Sequence, residues 1–104
     1  MSETIEGLTV NYEEDGVLKV KELDKVVLSK GAWTTIMFKF ENWDAAKSIY
    51  KAPGYAIRRY QKRNGAYALK SKFNISSNDQ ARKIIETLQA WINSSDGSES
   101  SNEE

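Results

Sequence analysis

The sequence predicts an α+β fold in which an antiparallel four-stranded sheet is followed by one C-terminal helix. Two signals support this prediction. Asn64-Gly65 lies between segments of alternating polarity, which is typical of a two-residue hairpin turn. The segment SSNDQARKIIETLQAWI has the periodicity of an amphipathic helix. At 104 residues the chain is expected to form one domain over residues 8–93, with a frayed acidic terminus at 1–7 and a disordered acidic tail at 94–104.

The C-terminal helix has a predicted start and a predicted apolar stripe. Ser77 and Gln80 have the spacing of a capping box, and Asp79 lies where the helix dipole favours an anion. We expect the helix to end near Asn93. Its apolar residues fall on one side: Ala81, Ile84, Ile85, Leu88, Trp91 and Ile92.

Three further segments are expected to be extended. WTTIMFKFEN alternates, with Ile36, Phe38 and Phe40 on one face and Trp33, Thr35, Met37 and Lys39 on the other. GVLKVKELDKVVLSKG is predicted to form one long or broken strand, and LTVNY is a candidate for a short edge strand. ENWDAAKSIYKAPG contains the only proline and is expected to be a mobile connection.

The Asn64-Gly65 turn predicts the register of the hairpin, because directly opposed residues share a face. In this register Arg59 lies opposite Lys70. One face then carries Tyr55, Ile57, Arg59, Gln61, Arg63, Lys70, Lys72 and Asn74. The other is expected to be the core face under the helix, with Ala56, Arg58, Tyr60, Lys62, Tyr67, Leu69, Ser71, Phe73 and Ile75. Arg58 and Lys62 fit a core face poorly, which either snorkelling or a bulge near Ile57 would explain.

Charge is segregated along the chain although 15 basic residues balance 15 acidic ones. Residues 45–78 contain no acid and hold Lys47, Lys51, Arg58, Arg59, Lys62, Arg63, Lys70 and Lys72. Residues 1–15 and 96–104 contain acids and no base. The basic middle can therefore bind an anion whatever the total charge. The acidic tail is interpreted as a solubilising terminus, as a competitor for the basic surface, or as a segment that recruits partners.

The hairpin predicts a single-stranded nucleic-acid site. Like charges directly opposed across strands destabilise a sheet, so Arg59 opposite Lys70 indicates an anionic partner. Cations contact phosphates while aromatic rings stack on unpaired bases. The candidate DNA-binding residues are Trp33, Thr35, Met37, Lys39, Tyr55, Ile57, Arg58, Arg59, Gln61, Lys62, Arg63, Lys70, Lys72 and Asn74. RNA, or an acidic protein docked on the basic sheet, is the alternative partner.

Residue types that the chain lacks argue against other functions. It contains no histidine and no cysteine, which removes the usual general base and the usual zinc ligands. We expect no enzymatic activity, no metal and no cofactor. Residues 1–10 do not resemble a secretory signal, and no apolar run approaches the ~20 residues that span a bilayer. These features are typical of a soluble intracellular protein.

GAWTTIMFKFEN and SKFNISSNDQARKIIETLQAWI together resemble the positive cofactor four family of transcriptional coactivators and their bacterial and phage relatives. The matching positions are Lys30-Gly31, Ile36 to Glu41, Phe73 to Ser76 and Asp79-Gln80. The resemblance implies a homodimer whose curved sheets bind single-stranded DNA with little sequence preference. It further implies helix contacts between protomers through Ile84, Leu88, Trp91 and Ile92.

The resemblance also implies a role in replication, recombination or transcription. The compartment would be the cytoplasm of a bacterial or phage-infected cell, or a eukaryotic nucleus. The acidic residues 1–15 depart from the family, whose N-terminal region is often basic. A five-stranded oligonucleotide-binding barrel is the rival architecture, and a single long helix after the strands argues against it.

Overall fold

A computed structural model describes residues 4–94. Its elements, in chain order, are a 3₁₀ turn (Ile5–Gly7), β1 (Tyr12–Glu14), β2 (Val17–Ser29), β3 (Trp33–Asp44), β4 (Ile49–Tyr50), β5 (Gly54–Arg63), β6 (Ala66–Ile75) and α1 (Asn78–Ser94). The α+β class and the single C-terminal helix are thus confirmed. Of the predicted termini, residues 1–3 and 95–104 lie outside the described residues.

The sheet is antiparallel and curled, with the order β1-β2-β3-β5-β6 and with β4 paired to β3. The described residues form six strands, so the predicted count of four is too low. Both additional strands are short and lie next to local turns. Asp15 and Gly16 adopt positive φ and fold β1 back on β2. Asp44 Oδ1 accepts hydrogen bonds from the backbone of Ala46 and Lys47, and the following turn brings β4 against β3.

The face of the sheet that holds the core is called the inner face. Ile36 and Phe38 of β3 are fully buried there, beside Tyr60 of β5 and Tyr67 of β6. The segment before β1 completes this core, because Leu8 and Val10 are buried against the same cluster. The predicted edge strand LTVNY therefore acts mainly as a cover over the inner face, and only its Tyr12 lies in a strand.

The opposite face, called the outer face, carries Trp33, Thr35 and Met37 of β3, and the helix lies on this side. Tyr55 Oη donates a hydrogen bond to Asn78 Oδ1 at 2.9 Å. A cleft at the helix base is lined by Met37, Tyr55, Ile75, Ala81, Ile84 and Ile85. The prediction that the helix covers the face of Tyr60 and Tyr67 is therefore wrong. Leu8 and Val10 already occupy that face.

The helix begins as the capping pattern predicts. Gln80 N donates to Ser77 Oγ at 3.1 Å, and Gln80 Oε1 accepts from Ser76 N at 2.7 Å. The first bond satisfies a backbone donor that the first helical turn leaves without a partner, and the second fixes the residue before the cap to that turn. The helix ends at Ser94, within one residue of the predicted end.

Candidate nucleic-acid interface

The hairpin of β5 and β6 turns at Asn64 and Gly65, as predicted. Their φ angles are 53° and 79°, the left-handed values that a type I′ turn requires. Near the turn, the predicted pairs Arg63–Ala66 and Gln61–Ala68 are confirmed. The turn chemistry therefore fixes the register over the first part of the hairpin.

A β-bulge changes the register further along. Tyr60 pairs with Leu69, whereas Arg59 pairs with Ser71, so Lys70 is the additional residue on β6. The predicted pair Arg59–Lys70 is therefore wrong. A bulge adds one residue to one strand, so side chains beyond it turn to the opposite face.

The bulge moves residues of β6 between the two faces. Lys72 lies opposite Arg58 and Asn74 lies opposite Ala56, so both lie on the inner face and not beside Arg59 as predicted. Conversely, three residues predicted for the core face lie on the outer face, namely Ser71, Phe73 and Ile75. The predicted site is thus divided. Trp33, Thr35, Met37, Lys39, Tyr55, Ile57, Arg59, Gln61 and Arg63 share the outer face, whereas Arg58, Lys62, Lys72 and Asn74 share the inner face.

The outer face has an end under the helix and an open end. Tyr55 and Met37 line the cleft at the helix base. Trp33, Thr35, Arg59 and Gln61 lie toward the hairpin turn, and this group is called the open end. There the guanidinium carbon of Arg59 lies 4.2 Å from the centroid of the Trp33 ring. Trp33 remains 39% exposed, so its ring is available to a ligand while Arg59 holds its orientation.

Phe73 is a residue of this face that the sequence prediction missed. It is 50% exposed and lies opposite Ile57. No sequence signal indicated this, because Arg58 and Lys62 lie on the inner face as predicted and the bulge changes only the faces of β6.

Five cations of the hairpin have no acidic partner in the described part of the chain. Between residues 4 and 94, no acidic side chain forms an ion pair with Arg58, Lys62, Arg63, Lys70 or Lys72. The salt bridge recorded there joins Arg82 to Asp79 on the helix, at 3.0 Å. The positive potential of the hairpin is therefore available to a ligand.

The aromatic rings of the inner face are covered. Tyr60 is 4% exposed and Tyr67 is 7% exposed, beneath Leu8 and Val10. Burial raises the pKa of the Tyr60 phenol above its ordinary value, although the charge and hydrogen bond of Arg58 oppose this shift. Removing Leu8 and Val10 from the core would cost about 1.5–3 kcal/mol for each side chain. These rings are therefore unsuited to stacking with bases.

The helix exposes most of its apolar stripe. Ile85 is 63% exposed and Leu88 is 49% exposed, and the stripe continues through Trp91 and Ile92 at 68% and 64%. Ile84, which was predicted to lie in a dimer interface, is partly buried in the cleft at the helix base. Exposed apolar area of this kind is typical of an interaction surface.

The described residues form neither a metal cluster nor a membrane-spanning helix. Between residues 4 and 94 no three acidic side chains cluster as metal ligands would, and no helix there is long and apolar enough to cross a membrane. Comparison of the chain with protein-family models, with curated proteins and with solved structures finds no match.

Proposed function

We propose that the protein is a non-catalytic single-stranded DNA-binding protein whose strand crosses the open end of the outer face. The observation that carries this proposal is the stacking of Arg59 on the partly exposed Trp33. An aromatic face beside a guanidinium offers a stacking surface for an unpaired base and a cation for the adjoining phosphate. Thr35 and Gln61 add hydrogen-bonding groups on either side.

Cations next to the open end extend the path of the strand. Arg63 follows Gln61 on the outer face, and Lys62 and Lys70 are exposed near the turn. Cationic side chains contact the phosphates and not the base edges. We therefore expect low sequence specificity. Roles in replication, recombination or transcription are compatible with such binding.

The surface of the helix argues against duplex DNA as the ligand. Proteins that read duplex DNA commonly place a polar helix in the major groove. Here the exposed helix surface includes Ile85 and Leu88, and Arg82 is paired with Asp79. We propose instead that a second copy of the chain covers this stripe, giving a homodimer with two strand-binding surfaces. Burial of Leu88 in both copies would contribute about 1.5–3 kcal/mol per side chain.

An acidic protein partner is the alternative, since the same cations would attract carboxylates. The exposure of Trp33 favours nucleic acid as the partner. An exposed aromatic ring adds affinity for an unstacked base, whereas binding of carboxylates requires only cations.

The test is a fluorescence-anisotropy titration of a labelled dT oligomer, with rU and duplex oligomers as competitors. We expect dT binding that weakens steeply with salt, and duplex DNA that competes poorly. Arg59→Glu should reduce affinity strongly. Lys47→Glu makes the same charge change beyond the far end of β3 and is the matched control, with little expected effect. Absence of dT binding at low salt, or equal effects of the two variants, would show that the proposal is wrong.

A further inference from the structure

A groove of about 430 Å³ opens on the inner face, opposite the Trp33 platform. Thr9 forms one side of it, and Phe40, Asn42, Ala56, Arg58 and Asn74 from the sheet line it as well. This volume lies within the ~300–1,000 Å³ that is usual for small-ligand sites. The groove is therefore large enough for one small ligand.

Arg58 lines the groove and carries one donor without a partner. Its Nε is buried and has no hydrogen-bond partner, and the charge of the same guanidinium acts on the nearby Tyr60 phenol. Buried polar groups in folded proteins are nearly always hydrogen-bonded, and an exception indicates a functional role or a ligand. A phosphate oxygen is a natural acceptor for a guanidinium N–H.

The charges around Arg58 favour an anion. Lys72 lies directly opposite Arg58 on the same face, a like-charge pair that costs stability. Glu22 also faces this side, but its carboxylate accepts a hydrogen bond from Thr9 Oγ1 and forms no ion pair with Arg58. An anion between Arg58 and Lys72 would convert the repulsion into attraction.

Two further polar groups of the groove are amides. In the described part of the chain, the side chains of Asn42 and Asn74 form no hydrogen bond. An asparagine amide presents a donor and an acceptor side by side, which matches the N6/N7 edge of adenine. Phe40 is partly buried beside them and provides apolar surface for a flat ring.

We propose that this groove binds one nucleotide, with its phosphate on Arg58 and its base between Asn42 and Asn74. The site goes beyond the proposed function because it lies on the other face of the sheet and uses none of the open-end residues. The nucleotide is either free in solution or a single unstacked base of a bound strand. The phosphate and base contacts are the same for both sources.

The experiment titrates isotope-labelled protein with dAMP and follows the Arg58 Nε–H signal and the side-chain amides of Asn42 and Asn74 by NMR. We expect all three to shift with dAMP, with an affinity at least tenfold weaker for deoxyadenosine. Inorganic phosphate alone should shift Arg58 and leave the amides unchanged. A dA oligomer then separates the two sources, because the side-chain amides of Asn42 and Asn74 move with it only if one of its bases enters the groove.

A pair of matched variants tests the proposed contact at Asn74. Asn74→Asp places a carboxylate beside Arg58 at an exposed position and should weaken dAMP binding at least tenfold. Asn93→Asp, the same change near the end of the helix, should have no effect, and thermal melts check that both variants fold. The proposal is wrong if saturating dAMP leaves the three signals unmoved, or if deoxyadenosine binds as tightly as dAMP. Either failure leaves dT binding at Trp33 untouched, so the two proposals are tested separately.

Discussion

Arg59 and Trp33 form a stacked pair across two neighbouring strands, with the guanidinium carbon 4.2 Å from the centroid of the indole ring. The two residues are not directly opposed, because Arg59 pairs with Thr35 and Trp33 pairs with Gln61. The long arginine side chain thus reaches diagonally, which cross-strand neighbours permit. This contact orients a ring that remains partly exposed at the open end of the outer face.

The first prediction concerns the Trp33 ring. Trp33→Ala should weaken binding of a dT oligomer by about 1–3 kcal/mol, which is about five- to 150-fold in Kd, because one base loses its stacking partner. Anisotropy titration at fixed salt measures the change. The control is Trp43→Phe, because Trp43 lies at the other end of β3. Its ring contacts Tyr50 edge-on, with the ring centroids 5.0 Å apart. Equal losses for both variants would contradict the role of Trp33.

The second prediction concerns the like-charge pair Arg58–Lys72. Lys72→Glu should stabilise the fold by about 0.2–1 kcal/mol, because opposite charges then face each other across β5 and β6. Urea denaturation at low salt measures the free energy of unfolding, and added salt should reduce the gain. Lys70→Glu makes the same change at the bulge, opposite no residue, and should give a smaller gain. A destabilised Lys72→Glu would show that the pair is not repulsive.

The third prediction concerns the helix stripe and the proposed homodimer. Leu88→Asp should convert the dimer to a monomer. Each copy loses about 1.5–3 kcal/mol of stabilisation from apolar burial, and in a symmetric dimer the substitution is present in both copies. Sedimentation velocity over a range of concentrations measures this. Gln89→Glu adds one charge at the neighbouring exposed position and should leave the dimer intact. A wild-type chain that stays monomeric at high concentration would refute the proposed assembly.

The fourth prediction follows from the buried phenol of Tyr60. Its pKa is raised by burial, so the native state holds the proton at a pH at which the unfolded chain releases it. An unfolded tyrosine ionises near pH ~10. The contribution of Tyr60 is therefore complete below that pH and is lost as the pH rises toward the higher native pKa.

Comparison of wild type with Tyr60→Phe isolates this contribution from the titration of lysines. The difference in unfolding free energy between the two proteins should be constant below pH ~10 and should change above it in favour of the variant. Denaturation series on both sides of that pH provide the measurement. Parallel curves throughout would mean that Tyr60 ionises alike in both states.

Features set by local chemistry could be predicted from the sequence. Asn64 and Gly65 adopt the positive φ that their residue types favour, and Ser77 with Gln80 starts the helix by side-chain capping. The alternation of β3 was also predicted, since Ile36 and Phe38 are buried while Trp33 is exposed. Each of these signals acts within a few residues, so no knowledge of distant contacts was needed.

Features that depend on distant contacts were missed. Around Lys70, polar and apolar residues fit the two faces about equally well with or without a bulge. The sequence therefore does not locate the bulge. The bulge turns Ile75 toward Tyr55, where the helix meets the sheet. Leu8 and Val10 compete with the helix for the inner face, and that competition is decided by the whole chain. The division of the candidate site between two faces follows from these two effects.

The salt dependence of dT affinity tests the central claim most directly, when it is compared between wild type and Arg59→Gln. Each phosphate contact on a single strand contributes about −0.7 to the slope of log K against log salt. We expect a clearly negative slope of log K against log salt for wild type, and a slope less steep by about 0.7 for Arg59→Gln. A wild-type affinity independent of salt, or an unchanged slope in Arg59→Gln, would contradict the placement of the strand over Trp33 and Arg59.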